Sequence, residues 1–246
     1  MSMVISCEHA TNHIPAKYAS LFEGAEAILA SHRGWDPGSL TLGRWIAKAV
    51  SAPLFQTRVS RLLVEVNRSE RHRHLFSRFS NVLDLSARNA VLEKYYFPYR
   101  QQVQGEIIRR IDQNKSVLHI SVHTFTPILD GEQRNADIGL LYDPRRGGER
   151  EFCEIWRQSI LRQRPDLRVR RNYPYLGKAD GFTTSLRREF ADDAYKGIEL
   201  EVNQRWVARP SVWRSLCGAI ADSLLHALRD VEKSPAFGLS LACPRE

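Results

Sequence analysis

The chain reads as an α/β protein, a three-layer sandwich in which helices cover both faces of a largely parallel sheet. Three observations predict this. Short apolar, β-branched runs alternate along the chain with longer segments of helical periodicity, the signature of a sheet packed between helices. The 246 residues, 43% hydrophobic and 26% charged, suffice for one sizeable core of ordinary composition. No internal repeat, low-complexity tract or long linker divides them, so residues 1–246 are expected to form a single domain, with a weakly ordered tail after about residue 232.

In order, strands are expected at 3–7, 54–59, 62–66, 117–122, 138–142, 167–170 and 198–202, where apolar residues run continuously or alternate. The first helix is expected in "DPGSLTLGRWIAKAV". Asp36 stands before Pro37 as an N-cap stands before a favoured first helical residue, and Leu40, Leu42, Ile46 and Val50 form its apolar stripe. Residues 87–114 read as a long helix bent or interrupted at Pro98. Another helix covers 148–163, with the glycines of "RRGGER" as its entry turn. The last follows Pro210 and uses Val212, Leu216, Ile220, Leu224 and Leu228.

Charge and cysteine usage narrow the function classes. A net charge of +8 invites a nucleic-acid reading. The basic residues are dispersed, however, and the one dense patch, "RSERHRHLFSRFS", has neither a helix-turn-helix pattern nor an aromatic platform. It reads as a solvated surface or a positive funnel for a small anion, so no nucleic-acid partner is expected. Four scattered cysteines form no CxxC pair, which argues against a zinc knuckle, a thioredoxin-type site and a disulfide framework. Cys7, beside Glu8 and His9, is a minor candidate nucleophile; a buried thiol is the commoner case. No apolar run reaches membrane-spanning length, and "MSMVISCEH" lacks the pattern of a secretory signal, so a cytoplasmic location without membrane association is expected. The oligomeric state is left open. GxGxxG, Walker A, HExxH and GxSxG motifs are all missing.

Chemical groups recur instead where strands end. Glu8 and His9 follow the first strand; Arg61 precedes an apolar run that exits at Asn67 and Arg68. "VLHISVHTFTP" runs into His123 and Thr124, and "YKGIELEVNQ" ends at Glu201, Asn203 and Gln204. In a parallel sheet such ends share one edge, so groups distant in sequence meet in one crevice. Taken singly, each has a bland explanation. Asp36 is accounted for as a helix cap, Glu199 and Glu201 as one face of an amphipathic strand, Asn67-Arg68 as a turn. A lone histidine at a strand exit is commonly structural, and His119 and His123 share a face by period two. The joint pattern is what points to a site.

Seven strings, "CEHATNHIP", "HRGWDPGS", "SRLLVEVNRS", "SVHTFTP", "DIGLLYDPRR", "NYPYLGKADGFTTSLR" and "YKGIELEVNQ", together resemble the N-formylglutamate amidohydrolase family, in order over residues 4–205, about four-fifths of the chain. That family is similar to zinc-dependent exopeptidases and amidases with a phosphorylase/hydrolase-like fold. The resemblance implies hydrolysis of the amide of a small anionic N-acyl amino acid, with one Zn²⁺ per chain. By the same resemblance His9, Asp36 and His123 are metal ligands and Glu201 is the general base. Asn67 and Arg68 would grip a substrate carboxylate. Arg61 joins them as a substrate-binding residue, and so do Lys178 and Arg187 on a mobile lid formed by "NYPYLGKADGFTTSLR". Thr11 departs from the family, which often has glycine there. Two imidazoles and a carboxylate would leave a fourth zinc position for water, as catalytic sites require. His13 and His32 are the nearest alternative ligands; Glu199 and Glu8 are the alternative bases. The rival functions are a carboxypeptidase- or peptidoglycan-amidase-like zinc hydrolase on the same scaffold, and a basic nucleic-acid binder without catalysis.

Overall fold

The computed structural model describes residues 1–233, so the tail expected beyond about 232 lies almost wholly outside the described residues. Among the described residues eight strands form, β1 Ser2–Cys7, β2 Leu54–Gln56, β3 Val117–Phe125, β4 Ile128–Leu129, β5 Glu132–Gln133, β6 Ile138–Leu141, β7 Val169–Arg171 and β8 Tyr195–Asn203. Six make one sheet in the order β2-β1-β3-β8-β6-β7; β4 and β5 are a separate small hairpin. Strands β2, β1, β3 and β8 are parallel to one another. The β6–β7 pair joins β8 antiparallel, so the sheet is mixed.

The two faces of this sheet differ because β1, β3 and β8 each alternate. Ile5, Leu118, Ile120, Ile198 and Leu200 point to one side. There they pack with Leu42 and Ile46 of α2 (Ser39–Ala49), Phe152 and Trp156 of α5 (Gly147–Gln163), and Leu216 and Ile220 of α7 (Pro210–Lys233). Val4, Val117 and Tyr195 point to the other side, toward Val103 and Ile107 of α4 (Phe97–Ile111) and Phe182 of α6 (Phe182–Glu189). On this second face the same period of two also places Ser6, His119, Ser121, His123, Glu199 and Glu201. A fully buried strand such as β3 tolerates its histidines only with partners: Ser6 Oγ and Tyr195 Oη lie 2.7 and 2.8 Å from the two ring nitrogens of His119. Two shorter helices, α1 (Glu26–Ala30) and α3 (Leu85–Val91), complete the set.

Two expectations change on folding, and the break expected at Pro98 forms. The helix after Asp36 begins at Ser39, and its N-cap is Gly38, at φ +87°, with no side-chain cap bond. Gly38 is required there: besides the left-handed backbone, a Cβ would lie 2.9 Å from Val207 and 3.0 Å from Trp213. Asp36 holds the helix start through its backbone carbonyl, which accepts from the Ser39 amide and hydroxyl, and its carboxylate is left for other work. Residues 62–66 form turns, not a strand. Their apolar residues Leu63, Val64 and Val66 are buried, while Ser77 and Ser80 hydroxyls satisfy the Leu62 carbonyl and the Glu65 amide bonds Leu75 O. The long helix is interrupted just before Pro98, where residues Leu92–Tyr96 widen into a π-helical stretch; the proline has no amide to give to the preceding turn.

Candidate metal centre

Five segments bring the polar groups together. β1 ends at Cys7, and the turn that follows carries Glu8 and His9, both buried. The Asp36 amide donates to the His9 carbonyl at 3.0 Å, which pins the start of the α2 segment against that turn. β3 delivers His123, and its register with β8 sets His123 beside Glu201 and Ser121 beside Glu199. The segment 57–69 closes the remaining side with Arg61, Glu65, Asn67 and Arg68.

His9 Nδ1 and His123 Nδ1 lie 3.1 Å apart, and Asp36 Oδ2 lies 3.1 Å from the first and 2.9 Å from the second. Tetrahedral zinc with bonds of 2.0–2.1 Å spaces its ligand atoms by about 3.3 Å, so this triangle is close to one face of such a tetrahedron. Among the described residues, these three are the group of histidine, cysteine and carboxylate side chains placed to hold a metal ion. Two ring nitrogens and one carboxylate oxygen converging on a common point could share a bound cation, and the donor set suits a borderline divalent metal. The residues present therefore fit the group.

The outer nitrogens are fixed as well. His9 Nε2 lies 2.6 Å from Glu65 Oε1; His123 Nε2 lies 2.8 Å from Ser121 Oγ and 3.2 Å from Glu8 Oε2. Glu8 in turn accepts from Tyr99 Oη at 2.9 Å and Ser121 Oγ at 2.6 Å. Carboxylates behind histidines select the tautomer that turns the free nitrogen toward a metal. Burial pushes the carboxyls of Asp36, Glu8 and Glu65 upward, but the neighbouring cationic rings, with Arg61 beside Glu65, outweigh it and hold all three below the ordinary range. Burial likewise works against protonated His9 and His123, and the surrounding carboxylates raise both above the ordinary imidazole value. A metal would compete with protons for these rings, because a ring nitrogen must be unprotonated to become a ligand.

Glu201 is the exception. It is buried, its Oε2 has no hydrogen-bond partner, and burial, reinforced by Asp36 and Glu199, pushes its carboxyl up to about 8. It faces a cavity of about 170 Å³ shared with His9, Asp36 and His123, to which Arg61, Asn67, Arg68, Tyr175 and Glu199 contribute walls.

The other residues singled out in the sequence fall in different places. Arg61 Nη2 and Nε reach Glu65 Oε2 at 2.5 and 2.7 Å, and its Nη1 lies 3.5 Å from Asp36. Arg68 bonds the Asp180 carbonyl, and Asn67 Oδ1 accepts from the Phe182 amide at 2.8 Å. Lys178 is exposed and outside the cavity wall. Arg187 corrects the expectation of a substrate-binding lid. It is buried against Glu149 of α5 at 2.9 Å and donates to the Gly177 and Gly197 carbonyls, so its donors are consumed inside the protein. The expected lid is a tethered loop followed by α6: the Asn172 side chain accepts from the Tyr142 and Gly177 amides. At Gly139 a Cβ would sit 1.9 Å from the Tyr173 carbonyl, so glycine is what lets this loop cross β6 and present Tyr175 at the cavity mouth. His13 is exposed and joins no metal-ligand group. Glu65, Tyr99 and Tyr175 were not anticipated. Glu65 leaves a trace in the sequence, four residues after Arg61 and two before Asn67, and Tyr175 lies in the string "NYPYLGKADGFTTSLR".

Among solved structures, the chain is similar to gene product Atu2144 from Agrobacterium tumefaciens, at 28% identity and a TM-score of 0.79, over 94% of this chain and 92% of that one. N-formylglutamate amidohydrolase from Ralstonia eutropha JMP134, 13% identical, shares the fold with a TM-score of 0.72 over 95% of each chain. Among curated proteins none matches. The family model for N-formylglutamate amidohydrolase matches residues 1–208, a span that contains every group of the centre described above. The chain belongs to the N-formylglutamate amidohydrolase family.

Proposed function

We propose that this protein hydrolyses the amide bond of a small N-acyl amino acid, with N-formylglutamate as the first substrate to try, and that its metal is a single Zn²⁺ held by His9, Asp36 and His123. The observation that carries the reading is the near-tetrahedral triangle of donors at one end of the cavity with the partnerless Glu201 carboxylate beside it. Zinc bound there would supply Lewis acidity toward the scissile carbonyl and a water with pKa near ~7.

The chain's own groups do the rest. Glu201 Oε2, with no internal bond to break, accepts the proton of the attacking water and returns it to the departing amine. A raised pKa makes the ionised carboxylate a stronger proton acceptor than an ordinary one, and the charge of a bound metal would favour that ionised form. Arg68, with Asn67 fixing the turn, offers a planar fork for the substrate carboxylate. The cavity, about 170 Å³, suits a small acyl amino acid better than a glycan strand or a drug-sized ligand, whose pockets run to roughly 300–1,000 Å³. Cys7, Cys153 and Cys217 are buried free thiols, which supports a reducing, cytoplasmic setting. Among the described residues no helix is long and apolar enough to cross a membrane.

Elemental analysis of the purified protein, with formate release from N-formylglutamate and from N-formyl amino acids of other side chains, tests the reading. One equivalent of zinc and chelator-sensitive hydrolysis are expected. Protein that takes up no divalent metal, or that is active with its metal removed, overturns it.

A further inference from the structure

We propose that Arg61 and Glu65 are a positioning pair for the metal centre and that Arg61 is not a reader of the substrate, although it lines the cavity. The inference rests on the metal reading above. Glu65 is almost fully buried and uses both oxygens. Oε1 meets His9 Nε2 at 2.6 Å and accepts the Asn67 amide at 3.1 Å; Oε2 takes two donors of Arg61, at 2.5 and 2.7 Å. One carboxylate thus sets the tautomer of a metal ligand and shapes the turn that presents Asn67 and Arg68.

Arg61 neutralises Glu65 and leans toward Asp36, 3.5 Å from the oxygen that is not turned to the histidines. With its side chain 27% exposed, it is held by two carboxylates of the protein, and a substrate carboxylate would have to displace one of them. Arg68 is committed differently. It donates to the Asp180 backbone carbonyl, so that bond leaves its charge unneutralised by a side-chain carboxylate. Metal-ligand geometry and substrate recognition therefore meet at Glu65, through side-chain bonds on one side and a backbone bond on the other.

The test measures zinc affinity by competition with a chromophoric chelator, and records the visible spectrum of the Co²⁺-substituted protein. In Glu65→Gln the amide nitrogen must face either the His9 and Asn67 donors or those of Arg61, so zinc binding should weaken roughly 10–100-fold, with a changed Co²⁺ spectrum. Glu65→Asp keeps an acceptor-only group on a shorter stem and should recover part of that loss. Arg61→Lys keeps the charge but loses the fork, and should weaken zinc binding by about tenfold or more. It should leave unchanged the preference for carboxylated substrates over their uncharged amide analogues. Arg68→Ala is the counter-case, with zinc affinity near wild type.

If Arg61→Lys binds zinc as wild type does while that preference collapses, Arg61 reads substrate and the proposal falls. Wild-type zinc affinity in Glu65→Gln overturns it equally. Circular dichroism and melting of the metal-free variants separate a folding defect from a ligand-positioning one. Absence of zinc binding in the wild-type protein would instead refute the metal reading itself.

Discussion

Replacing Glu201 by Gln should make the metal-free protein more stable while it nearly abolishes turnover. The carboxyl is pushed from 4.5 up to about 8, chiefly by burial, and its Oε2 has no partner. Between those two values the native protein binds a proton that the unfolded chain has released, so stability falls as pH rises from 4.5 through 8. At ~1.4 kcal/mol per pH unit, the raised pKa costs about 3 kcal/mol at pH 7 and about 5 kcal/mol above pH 8. Glutamine removes that cost, but its NH₂ enters the same buried position and takes back about 1–2 kcal/mol if it finds no acceptor. A net gain of about 2 kcal/mol at pH 7, which is about 4–8 °C in Tm for a chain of this size, should grow at pH 8.5 and reverse to a loss of about 1–2 kcal/mol near pH 4.5, where only the amide penalty remains. The assay is urea or thermal unfolding of chelator-treated wild type and Glu201→Gln at these three pH values. In the metal-loaded enzyme the same substitution should lower kcat by 10²–10⁴-fold with zinc retained. A metal-free Glu201→Gln that is less stable than wild type at pH 8.5 would show that the carboxylate has partners and no raised pKa. Unchanged kcat would move the base to Glu199 or Glu8.

His123→Ala should lose most bound zinc and all measurable hydrolysis, because one corner of the donor triangle disappears; elemental analysis after dialysis checks this. Arg68→Ala should raise KM for N-formyl amino acids more than for their uncharged amides, with kcat little changed, as loss of a contact common to ground and transition states requires; equal losses on both substrates remove Arg68 from carboxylate recognition. Arg187→Met should lower stability by about 3–5 kcal/mol, since it leaves the buried Glu149 carboxylate with only Arg146, 3.7 Å away, and two backbone amides, whereas a change confined to KM would restore Arg187 to the substrate site. Burial pushes the His119 imidazole down to about 4, so the native state excludes a proton that the unfolded chain takes up below 6.5. Stability present above pH 6.5 should therefore decline by up to about 3 kcal/mol as pH falls toward 4, and His119→Gln should flatten that slope in unfolding experiments.

Local pattern determined a good part of this protein. Period-two alternation in 117–123 and 198–202 is a property of the strand itself, so it announced both a buried sheet and which residues share a face with His123 and Glu201. Helical stripes, the break at Pro98 and the entry turn before Gly147 are equally local. The recurrence of polar residues at strand exits made a crevice legible, because parallel strands must deposit their ends along one edge.

Tertiary structure decided what those residues touch. Asp36 fits a helix cap by sequence; only the positive φ of Gly38 and the bond from Asp36 N to His9 O release its carboxylate to meet two rings. Residues 62–66 have a strand's apolar content, yet they pack as turns because serine hydroxyls and side-chain bonds to Glu65 satisfy their backbone without a sheet partner. Arg187 and Arg68 are indistinguishable as letters, but the first spends its donors on Glu149 and buried carbonyls while the second faces the cavity. The reason is common to all three. Periodicity is set by neighbours along the chain, whereas the partner of a buried charge is set by register and packing between segments tens of residues apart, where a polar group left unpaired would cost more than the fold can bear.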